Sequence, residues 1–593
     1  MSEYLGLMRG TRGHSIFIER GRPHPSRRAT AVKVRFPHIV AALCLLSVLP
    51  WAQPLSASVE FQSVRTLESY GGEAADCRVA TSIQIDSNLR AIHKWLDDIF
   101  AAGQASSPAL SLNGKSFCVG NNPVSFPHNN LNIKGGAAVR SEASRNGTLE
   151  STASSGSSFV FTGYAPLLEG VVLSGAGRGS GLSVVAEFNA PTDTRADLDA
   201  RLIESCIIGG DTLVKVRGRG FEMTGGYLVD GTTGVDIGMP NNFQRPVDFQ
   251  STREGGSRVY RFNGVRFHSV IGAGVANTDP IYGPFLFGIQ IENCYLDSFA
   301  RLFDGYLNHS IISGNIHFTG NSQSIRLSGA KNSLIVNNLF SGATILPSDF
   351  DAVYSSSGID KPQYLMYGVQ IKGETENLRI AGNRFAYINN APIFVSDGTT
   401  HRNLEVDSNG FYHTMLQNDS RTDPIMAVAS GATIAGLNFR NNTALLSELS
   451  KMGGAAWLSG PGSITNLSYA DNFDGGKLSF RRIAITGALS YRASYAPVKA
   501  LTVYVHDADT TLVPNVGDFA ETIKVTSGFT ANRTFTLSKT GAYPGMKWRV
   551  ARTASISRYT LSIGGLVFLG PKSWTVVEYD GSEWFVSAYG LLP

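Results

Sequence analysis

Residues 292–340 have the sequence ENCYLDSFARLFDGYLNHSIISGNIHFTGNSQSIRLSGAKNSLIVNNLF, in which one pattern recurs every 22 residues. Asn293, Asn315 and Asn337 each follow a strand-like run, and each precedes a large apolar residue by three positions. Asn tolerates left-handed backbone angles, and its amide can bond to an identical amide stacked above it. The repeat therefore predicts a tight turn, with Asn at one position of every coil, in a stacked solenoid.

Related units follow at Asn383 and Asn409, and looser ones at Asn441 and Asn472. Repeats of roughly 20–30 residues with apolar strands and no helices favour a parallel β-helix over a propeller or a leucine-rich array. The alternative is an antiparallel multi-sheet fold, but its Asn-Gly and Asp-Gly turns do not recur at the expected spacing between residues 200 and 480. We therefore predict an all-β chain with a right-handed parallel β-helix over 136–497.

One helix is predicted in front of the repeats. Apolar residues recur at helical spacing over 88–102, Ser87 is placed to cap the helix, and Gly103 is placed to end it. An amphipathic helix can cover the first coil, whose open edge would otherwise present unpaired N–H and C=O groups. We assign residues 58–135 to this N-terminal cap and the entry coils.

Composition limits the class of protein. The chain has 593 residues, 64 of them glycine, with 17% charged residues and a formal net charge of +4. Eight Lys and Arg residues against two acids lie in residues 1–57, so the remaining chain has slightly more acidic than basic residues. This balance gives no electrostatic support for a nucleic-acid or anionic-membrane partner.

The basic segment has the pattern of a secretory signal peptide. Basic residues precede an apolar run at 39–49, and small residues at 55–57 can form a cleavage site. The apolar run is too short to cross about 30 Å of hydrocarbon as a helix. We therefore expect residues 1–57 to be a signal peptide with an extended basic n-region, leaving no stable membrane span. The mature protein would be periplasmic, on the cell surface or extracellular.

Four cysteines remain after this leader. Cys77 and Cys118 flank the helical segment and can form a disulfide in an oxidising compartment. Cys206 and Cys294 lie in strand-like runs and are expected to be buried free thiols. The cysteines show no zinc-binding spacing, so no metal-ligating residues are predicted.

The entry segment resembles that of pectate-lyase-like β-helices and phage tailspikes. The resemblance lies in residues 60–72 (EFQSVRTLESYGG), the helix, 109–119 (ALSLNGKSFCV) and 131–136 (LNIKGG). The usual Gly-Asp-Gly is replaced here by Gly-Gly-Glu at 71–73. The resemblance covers about 59–490 and implies the fold and a polysaccharide substrate, but no catalytic residue. It also allows Ca²⁺ as a cofactor.

Residues 498–593 form seven short alternating segments with turns such as Asp580-Gly581. This pattern predicts a small antiparallel β domain. Its ending resembles a C-terminal module of some phage tail fibres and bacterial surface proteins. The resemblance implies attachment, carbohydrate contact or oligomerisation, including a homotrimer. A cap that stabilises the last coil is the alternative.

The sequence contains no compact catalytic motif, so any site must be assembled from several coils. Insertions at 268–287, 341–367 and 412–424 follow Phe267, Phe340 and Phe411. If these residues are equivalent in their coils, the three loops rise on one face and wall a groove that fits a linear polymer.

The three loops carry groups for hydrolysis of a glycosidic bond and for β-elimination from a uronate. The candidate catalytic residues are Asp279, Asp351, Asp360, Lys361 and His413. The candidate substrate-binding residues are Tyr282, Tyr364, Tyr367, Arg421 and Asp423. The ordinary alternatives are that a loop Asp forms a turn and that a Tyr covers the core.

The resulting hypothesis is an exported enzyme that cleaves an acidic polysaccharide: an exopolysaccharide, a capsule or a uronan. The resemblance slightly favours a lyase over a glycoside hydrolase, although fold alone is a weak guide to function. One alternative is a polysaccharide epimerase. The other is a non-catalytic polysaccharide-binding adhesin or tailspike-like receptor binder.

Overall fold

The computed structural model describes most of the chain after residue 62. The described residues are 63–102, 108–136, 147–191, 197–239, 259–297, 301–318, 323–342, 367–388, 390–412, 424–445, 456–473, 479–492, 502–504, 507–512, 522–526, 528–540, 542, 546–554 and 558–592. The expected signal peptide therefore lies outside them and stays a prediction.

The described chain is all-β apart from two short 3-10 turns and one α-helix, α1 (Ser82–Ala102), as the sequence predicts. Strands β1–β34 belong to one 34-stranded sheet, and all of its described pairings are parallel. Each strand pairs with one that follows later in the chain, so the sheet is built of stacked coils.

The first strands of this sheet are β1 Val64–Thr66, β2 Ala109–Ser111, β3 Ser116–Gly120, β4 Val124–Phe126, β5 Asn132–Lys134, β6 Thr148–Ser151, β7 Ser157–Phe161, β8 Leu167–Glu169, β9 Val172–Ser174, β10 Val184–Asn189, β11 Asp197–Ile203, β12 Cys206–Arg217, β13 Arg219–Thr224, β14 Tyr227–Gly238, β15 Tyr260–Asn263 and β16 Arg266–Asn277. They are followed by β17 Ile289–Glu292, β18 Tyr295–Asp297, β19 Arg301–Asn308, β20 Ile311–Ser313, β21 Ile316–Phe318, β22 Gln323–Val336, β23 Leu339–Ser341, β24 Tyr367–Ile371, β25 Thr375–Ala381, β26 Arg384–Ala386, β27 Ile393–Val395, β28 Thr400–Asp407, β29 Gly410–Tyr412, β30 Met426–Val428, β31 Thr433–Arg440, β32 Thr443–Leu445, β33 Ala456–Ala470 and β34 Ser479–Arg492.

From β15 onward the strands stack in three columns. The first column contains β15, β17 and β20 and continues in the second halves of β22, β25 and β28. The second column contains β18, β21, β23, β26, β29 and β32. The third column contains β19, the first half of β22, β24, β27 and β30. Side chains alternate between the shared core and the outside.

The structure contains both features predicted for the repeated Asn, the left-handed turn and the stacked amides, but they lie at adjacent positions of the chain. Asn293 and Asn337 have left-handed φ angles of 54° and 58°, and the equivalent position is a glycine in some coils, such as Gly314 and Gly382, and a non-glycine residue in others, such as Ser408. The residue that follows forms the buried amide ladder. Its six members are Asn315, Asn338, Asn383, Asn409, Asn442 and Asn472.

The expectation that Asn293, Asn315 and Asn337 are equivalent is therefore wrong, since only Asn315 belongs to the ladder. In each link, the backbone N–H and the side-chain amide of one Asn both donate to the Oδ1 of the next. For Asn338 and Asn383 these distances are 3.0 and 2.9 Å. The Asn338 amide also donates to the carbonyl of Ile312 at 3.0 Å. Each ladder amide thus satisfies polar groups that no water reaches.

Apolar side chains stack inside the coils in the same way. The rings of Phe126, Phe161 and Phe188 form one stack, with centroids 4.6 and 4.7 Å apart. The rings of Phe340, Phe385 and Phe411 form another stack. One hydrophobic core accordingly runs from Leu67 to Ile483.

Helix α1 covers the first coils as predicted, but it begins earlier than Ser87. Thr81 and Gln84 form a capping box: the Thr81 N–H donates to the Gln84 side chain at 2.9 Å, and the Gln84 N–H donates to the Thr81 hydroxyl at 3.3 Å. The predicted end, Gly103, lies outside the described residues. The Trp95 indole N–H donates to the carbonyl of Pro108 and fixes the buried face of the helix.

The cysteine predictions are confirmed. Cys77 and Cys118 form a disulfide, and the free cysteines Cys206 and Cys294 are both buried. Burial raises the pKa of the Cys294 thiol to about 12. Within the described residues, no helix is long and apolar enough to cross a membrane.

The C-terminal strands form two further sheets with a separate core that runs from Leu512 to Trp584. The strands are β35 Thr502–Tyr504, β36 Thr510–Leu512, β37 Thr522–Val525, β38 Arg533–Leu537, β39 Lys547–Arg552, β40 Leu561–Ile563, β41 Val567–Leu569, β42 Ser573–Tyr579 and β43 Trp584–Leu591. The predicted antiparallel domain is only partly correct. The pairings β35·β37, β37·β39, β36·β38 and β38·β40 are parallel, and only the last hairpins are antiparallel.

The Asn ladder makes a stability prediction. Replacement of Asn383 by Ala leaves two buried donors of Asn338 without an acceptor, so we expect a loss of about 3 kcal/mol in the free energy of unfolding. The matched control is Asn403→Gly, in an exposed link to Asn377, where the equivalent residue of the next coil is already Gly436. It should change stability by less than about 0.5 kcal/mol. Equal urea midpoints for the two variants would contradict this account of the ladder.

Candidate functional site

The third column places a charged network on the outside of the coils. Phe303, Ile325 and Val369 are paired on its inner side and belong to the core. The next residues, Asp304, Arg326 and Gln370, are paired in the same register, so they share the outer side. This column carries the described candidate site.

Two guanidinium groups hold one carboxylate in this network. Arg326 bonds to both carboxylate oxygens of Asp304, and its Nε lies 2.7 Å from Oδ1. Arg301 donates to Gln323 at 2.8 Å and to Asp304 at 3.4 Å. Asp304 is only 4% exposed. Burial, together with the nearby Arg326 charge, lowers the pKa of Arg301, and Asp304 opposes this shift.

An aromatic pair continues the outer side of the column. The rings of Tyr367 and Phe394 are stacked with centroids 4.5 Å apart, and both side chains are half-buried. Tyr367 is the one predicted substrate-binding residue that the structure places on this surface. A flat, partly exposed ring pair is suited to contact with the apolar face of a sugar.

A cavity of about 500 Å³ lies where the chain leaves the third column. Its lining residues are Pro284, Tyr306, Leu307, Ser328, Gly329, Ala330, Lys331, Glu374, Thr375, Glu376, Thr400 and Arg402. Several of them directly follow the charged network in sequence: Tyr306 is two residues after Asp304, and Ser328 is two residues after Arg326. The cavity and the network are therefore neighbours along the same strands.

Two carboxylates and two cationic groups line this cavity. Glu376 forms an ion pair with Lys331 at 3.2 Å. Within the described part of the chain, the exposed Glu374 carboxylate makes no hydrogen bond or ion pair. Arg402 is paired with Glu376 in the strand register and is also exposed. The site thus offers one fixed carboxylate and one unengaged carboxylate within two residues of each other.

A buried histidine supports the segment that carries these carboxylates. Thr375 lies between Glu374 and Glu376, and its hydroxyl contacts the His401 Nδ1 at 3.0 Å. The other ring nitrogen contacts the Thr399 hydroxyl at 2.6 Å. His401 is fully buried, and burial lowers its pKa to about 4. The neutral ring therefore serves as a fixed hydrogen-bonding group at neutral pH.

The first predicted loop has a structural role. The Asp279 carboxylate accepts the backbone N–H groups of Ile281 and Tyr282 at 2.8 and 3.1 Å. Tyr282 packs against the main core. The predicted catalytic role of Asp279 gains no support from these contacts, which are those of a turn-forming Asp. Pro284, in the same loop, lines the cavity.

The alignment of the three insertions is wrong for the first loop. Residues 268–277 belong to β16, and their second half pairs with β19 in the third column. The loop after it therefore follows a third-column strand, whereas the segments after Phe340 and Phe411 precede β24 and β30 of that column. Asp279 and Tyr282 thus directly follow a strand of the third column.

The remaining predicted site residues lie outside the described residues. They are Asp351, Asp360, Lys361, Tyr364, His413, Arg421 and Asp423. Their roles stay predictions. The described part of the chain also contains no group of three or more His, Cys, Asp or Glu side chains that could hold a metal ion.

From the sequence, Asp304 is only a second-choice candidate beside Asp297 and His317, and neither its pairing with Arg301 and Arg326 nor the carboxylate pair is predicted. Asp304 and Arg326 are 22 residues apart, as are Arg301 and Gln323. This is the spacing of the Asn repeat, so the repeat itself contained the signal. Glu374 and Glu376 carry a weaker signal, two carboxylates at alternate positions at the start of a strand.

The sequence matches no family model and no curated protein. Among solved structures, the chain is similar to the surface protein and adhesin PfbA of Streptococcus pneumoniae, with 9% identity and a TM-score of 0.33 over 73% of this chain and 100% of that one. It is also similar to tailspike protein 2 of bacteriophage CBA120, with 11% identity and a TM-score of 0.28 over 86% of this chain and 52% of that one.

A further similarity is to DFA-IIIase from Arthrobacter chlorophenolicus A6, with 10% identity and a TM-score of 0.36 over 69% of this chain and 94% of that one. Identities and TM-scores this low carry no argument about activity or substrate, which must come from the side chains of this chain.

The buried histidine makes a prediction about pH. Between about pH 6.5 and pH 4 the unfolded chain protonates His401 while the folded chain does not, so this residue makes stability fall as the pH falls. We expect the loss in unfolding free energy between pH 7 and pH 4.5 to be about 2 kcal/mol smaller in His401→Gln than in the wild type. Urea unfolding at the two pH values measures it. An identical pH dependence in both proteins would contradict this assignment.

Proposed function

We propose that the chain is an exported enzyme that hydrolyses a polysaccharide, with Glu374 and Glu376 as the catalytic pair. The observation that carries the proposal is the placement of both carboxylates on one cavity wall, with Glu376 fixed by Lys331 and Glu374 unengaged. Glycosidic hydrolysis needs one carboxyl group as the acid and a second as the base or nucleophile. Glu374 is assigned as the acid and Glu376 as the base.

Glu374 directly precedes β25 and Glu376 is its second residue, so the two side chains flank the buried Thr375. A separation of roughly 6.5–9.5 Å between their carboxyl groups would give inversion at the anomeric carbon, and one of roughly 5–5.5 Å would give retention. Tyr306 and Arg402 would contact the sugar on either side of the pair.

The proposal includes the finer description of the fold. We propose that the stacked coils wind as a right-handed parallel β-helix over 136–497, followed by the separate domain at 498–593. Parallel pairing from coil to coil and the strong preference for right-handed crossovers support it. The substrate would lie along the outer side of the third column, beside Tyr367 and Phe394. Export is supported by the Cys77–Cys118 disulfide, since such bonds persist in oxidising compartments.

The catalytic assignment predicts a large loss of activity when either carboxyl group is replaced by an amide of the same shape. Glu374→Gln and Glu376→Gln should each lower kcat at least about 100-fold, because each removes a proton-transfer group while keeping its shape. The matched control is Glu169→Gln, since Glu169 forms an exposed ion pair with Lys134 at the same 3.2 Å distance as Glu376 and Lys331. The control should retain wild-type activity.

The assay uses the chain from Ser58 with a panel of acidic polysaccharides, measuring new reducing ends and the ultraviolet absorbance of unsaturated sugars. Reducing ends without absorbance support hydrolysis. Reducing ends with absorbance would replace it by a lyase reaction, and an altered uronate composition at constant chain length would replace it by an epimerase. Full activity in Glu374→Gln would exclude this cavity as the catalytic site.

A second candidate is a polysaccharide binder without catalysis. The contacts of Asp279 favour it, because the one predicted catalytic residue within the described part of the chain forms a turn. Under this alternative the wild-type protein binds a polysaccharide of the panel and yields no reducing ends and no absorbance.

A further inference from the structure

The charged network of the third column has one more positive charge than the ion pairs that precede it in the stack. In the earlier coils the outer side is balanced: Lys215 pairs with Glu187 at 2.9 Å, and Arg217 pairs with Asp236 at 2.5 Å. In the later coils two guanidinium groups, those of Arg301 and Arg326, share the single carboxylate of Asp304. Counted over the described residues, this network therefore carries one positive charge more than its carboxylate, beside the cavity.

Donor groups of this network remain unused. Arg301 donates through Nε and Nη1, and Arg326 donates through Nε and Nη2. Within the described residues, the Nη2 group of Arg301 and the Nη1 group of Arg326 make no hydrogen bond. The lowered pKa of Arg301 indicates that this cation is poorly compensated where it lies.

An unengaged amide extends the same surface. Gln370 lies next to Arg326 in the strand register and is only 9% exposed. Its side-chain amide makes no hydrogen bond within the described part of the protein, and its Nε2 and Oε1 are not among the buried side-chain atoms that lack a partner. The amide therefore reaches solvent and can donate to a ligand at this surface. Phe394, the next residue along this outer row, is half of the aromatic pair.

We propose that Arg301, Arg326 and Gln370 form a receptor for the carboxylate of a uronic acid residue, and that this receptor selects acidic polysaccharides. The inference rests on the proposed function, since it concerns the chain that enters the adjacent cavity. Guanidinium N–H groups form short, strong hydrogen bonds to carboxylates, and the amide supplies a further donor. The stacked rings of Tyr367 and Phe394 would support the neighbouring sugar.

The test compares two ligands that differ in whether the uronate carboxylate is free or methyl-esterified. Affinity electrophoresis measures retardation of the protein by polygalacturonate and by its fully methyl-esterified form. The comparison is made in the Glu374→Gln background, so that cleavage does not remove the ligand. We expect clear retardation by the free acid and much weaker retardation by the ester. No retardation by polygalacturonate, alginate or hyaluronan would overturn the proposal.

The variants are chosen to keep the fold intact. Arg301→Gln leaves the Arg326–Asp304 pair in place and should weaken binding of the free acid roughly tenfold, without a matching loss for the ester. Gln370→Met keeps the volume of the side chain, removes its donors and should weaken binding in the same direction. The matched control is Arg379→Gln, since Arg379 and Arg440 share Glu405 and Asp407 on another column.

The outcomes separate this inference from the proposed function. Wild-type affinity in Arg301→Gln, or equal losses for acid and ester, would overturn the receptor. If Arg379→Gln weakens binding of the free acid equally, the loss reflects general electrostatic attraction to the protein, and this would also overturn the receptor. Continued cleavage by Glu374→Gln would refute the catalytic assignment, whereas the binding comparison would still decide on the receptor.

Discussion

Register is the constraint on which this structure depends. In stacked parallel coils, paired side chains lie against their equivalents one coil away, so a buried polar side chain can take its partner from the neighbouring coil. The Asn ladder satisfies this condition with one residue type, because an amide both donates and accepts. The same condition explains the stacked phenylalanines, and it explains why outer charges such as Asp304 and Arg326 pair between neighbouring coils.

The repeat predicted the parallel strands, whereas the single helix was predicted from helical apolar spacing and the cysteine pairing from the positions of Cys77 and Cys118 around that helix. The repeat did not separate the left-handed position from the ladder position, because Asn is suited to both and the two positions are adjacent. At Gly314 and Asn315 the two functions fall to different residues, and there the 22-residue count slips by one. The helix start was misplaced for a similar reason: Ser87 and Thr81 are both N-cap residue types, and only the contact of Gln84 back to Thr81 distinguishes them.

The candidate site was harder to predict because its chemistry is divided between coils. Loop residues such as Asp279 attract attention as isolated groups, yet a loop carboxylate most readily satisfies the backbone of its own turn. Asp304, by contrast, belongs to a charged network because it pairs with Arg326, which is distant in sequence and adjacent in space. The mixture of parallel and antiparallel pairs among the C-terminal strands also could not be predicted. Apolar and polar residues alternate along a strand in the same way whether its partner is parallel or antiparallel.

The geometry of the amide ladder does not depend on the length of chain between its members. Consecutive ladder residues are separated by 23, 45, 26, 33 and 30 positions, yet the hydrogen bonds between their side-chain amides all measure 2.8–3.0 Å. The scaffold therefore places strict demands on a few residues in each coil and almost none on the segments between them. Such a protein can change the length of the segments between its coils over evolutionary time while the row of buried amides is kept.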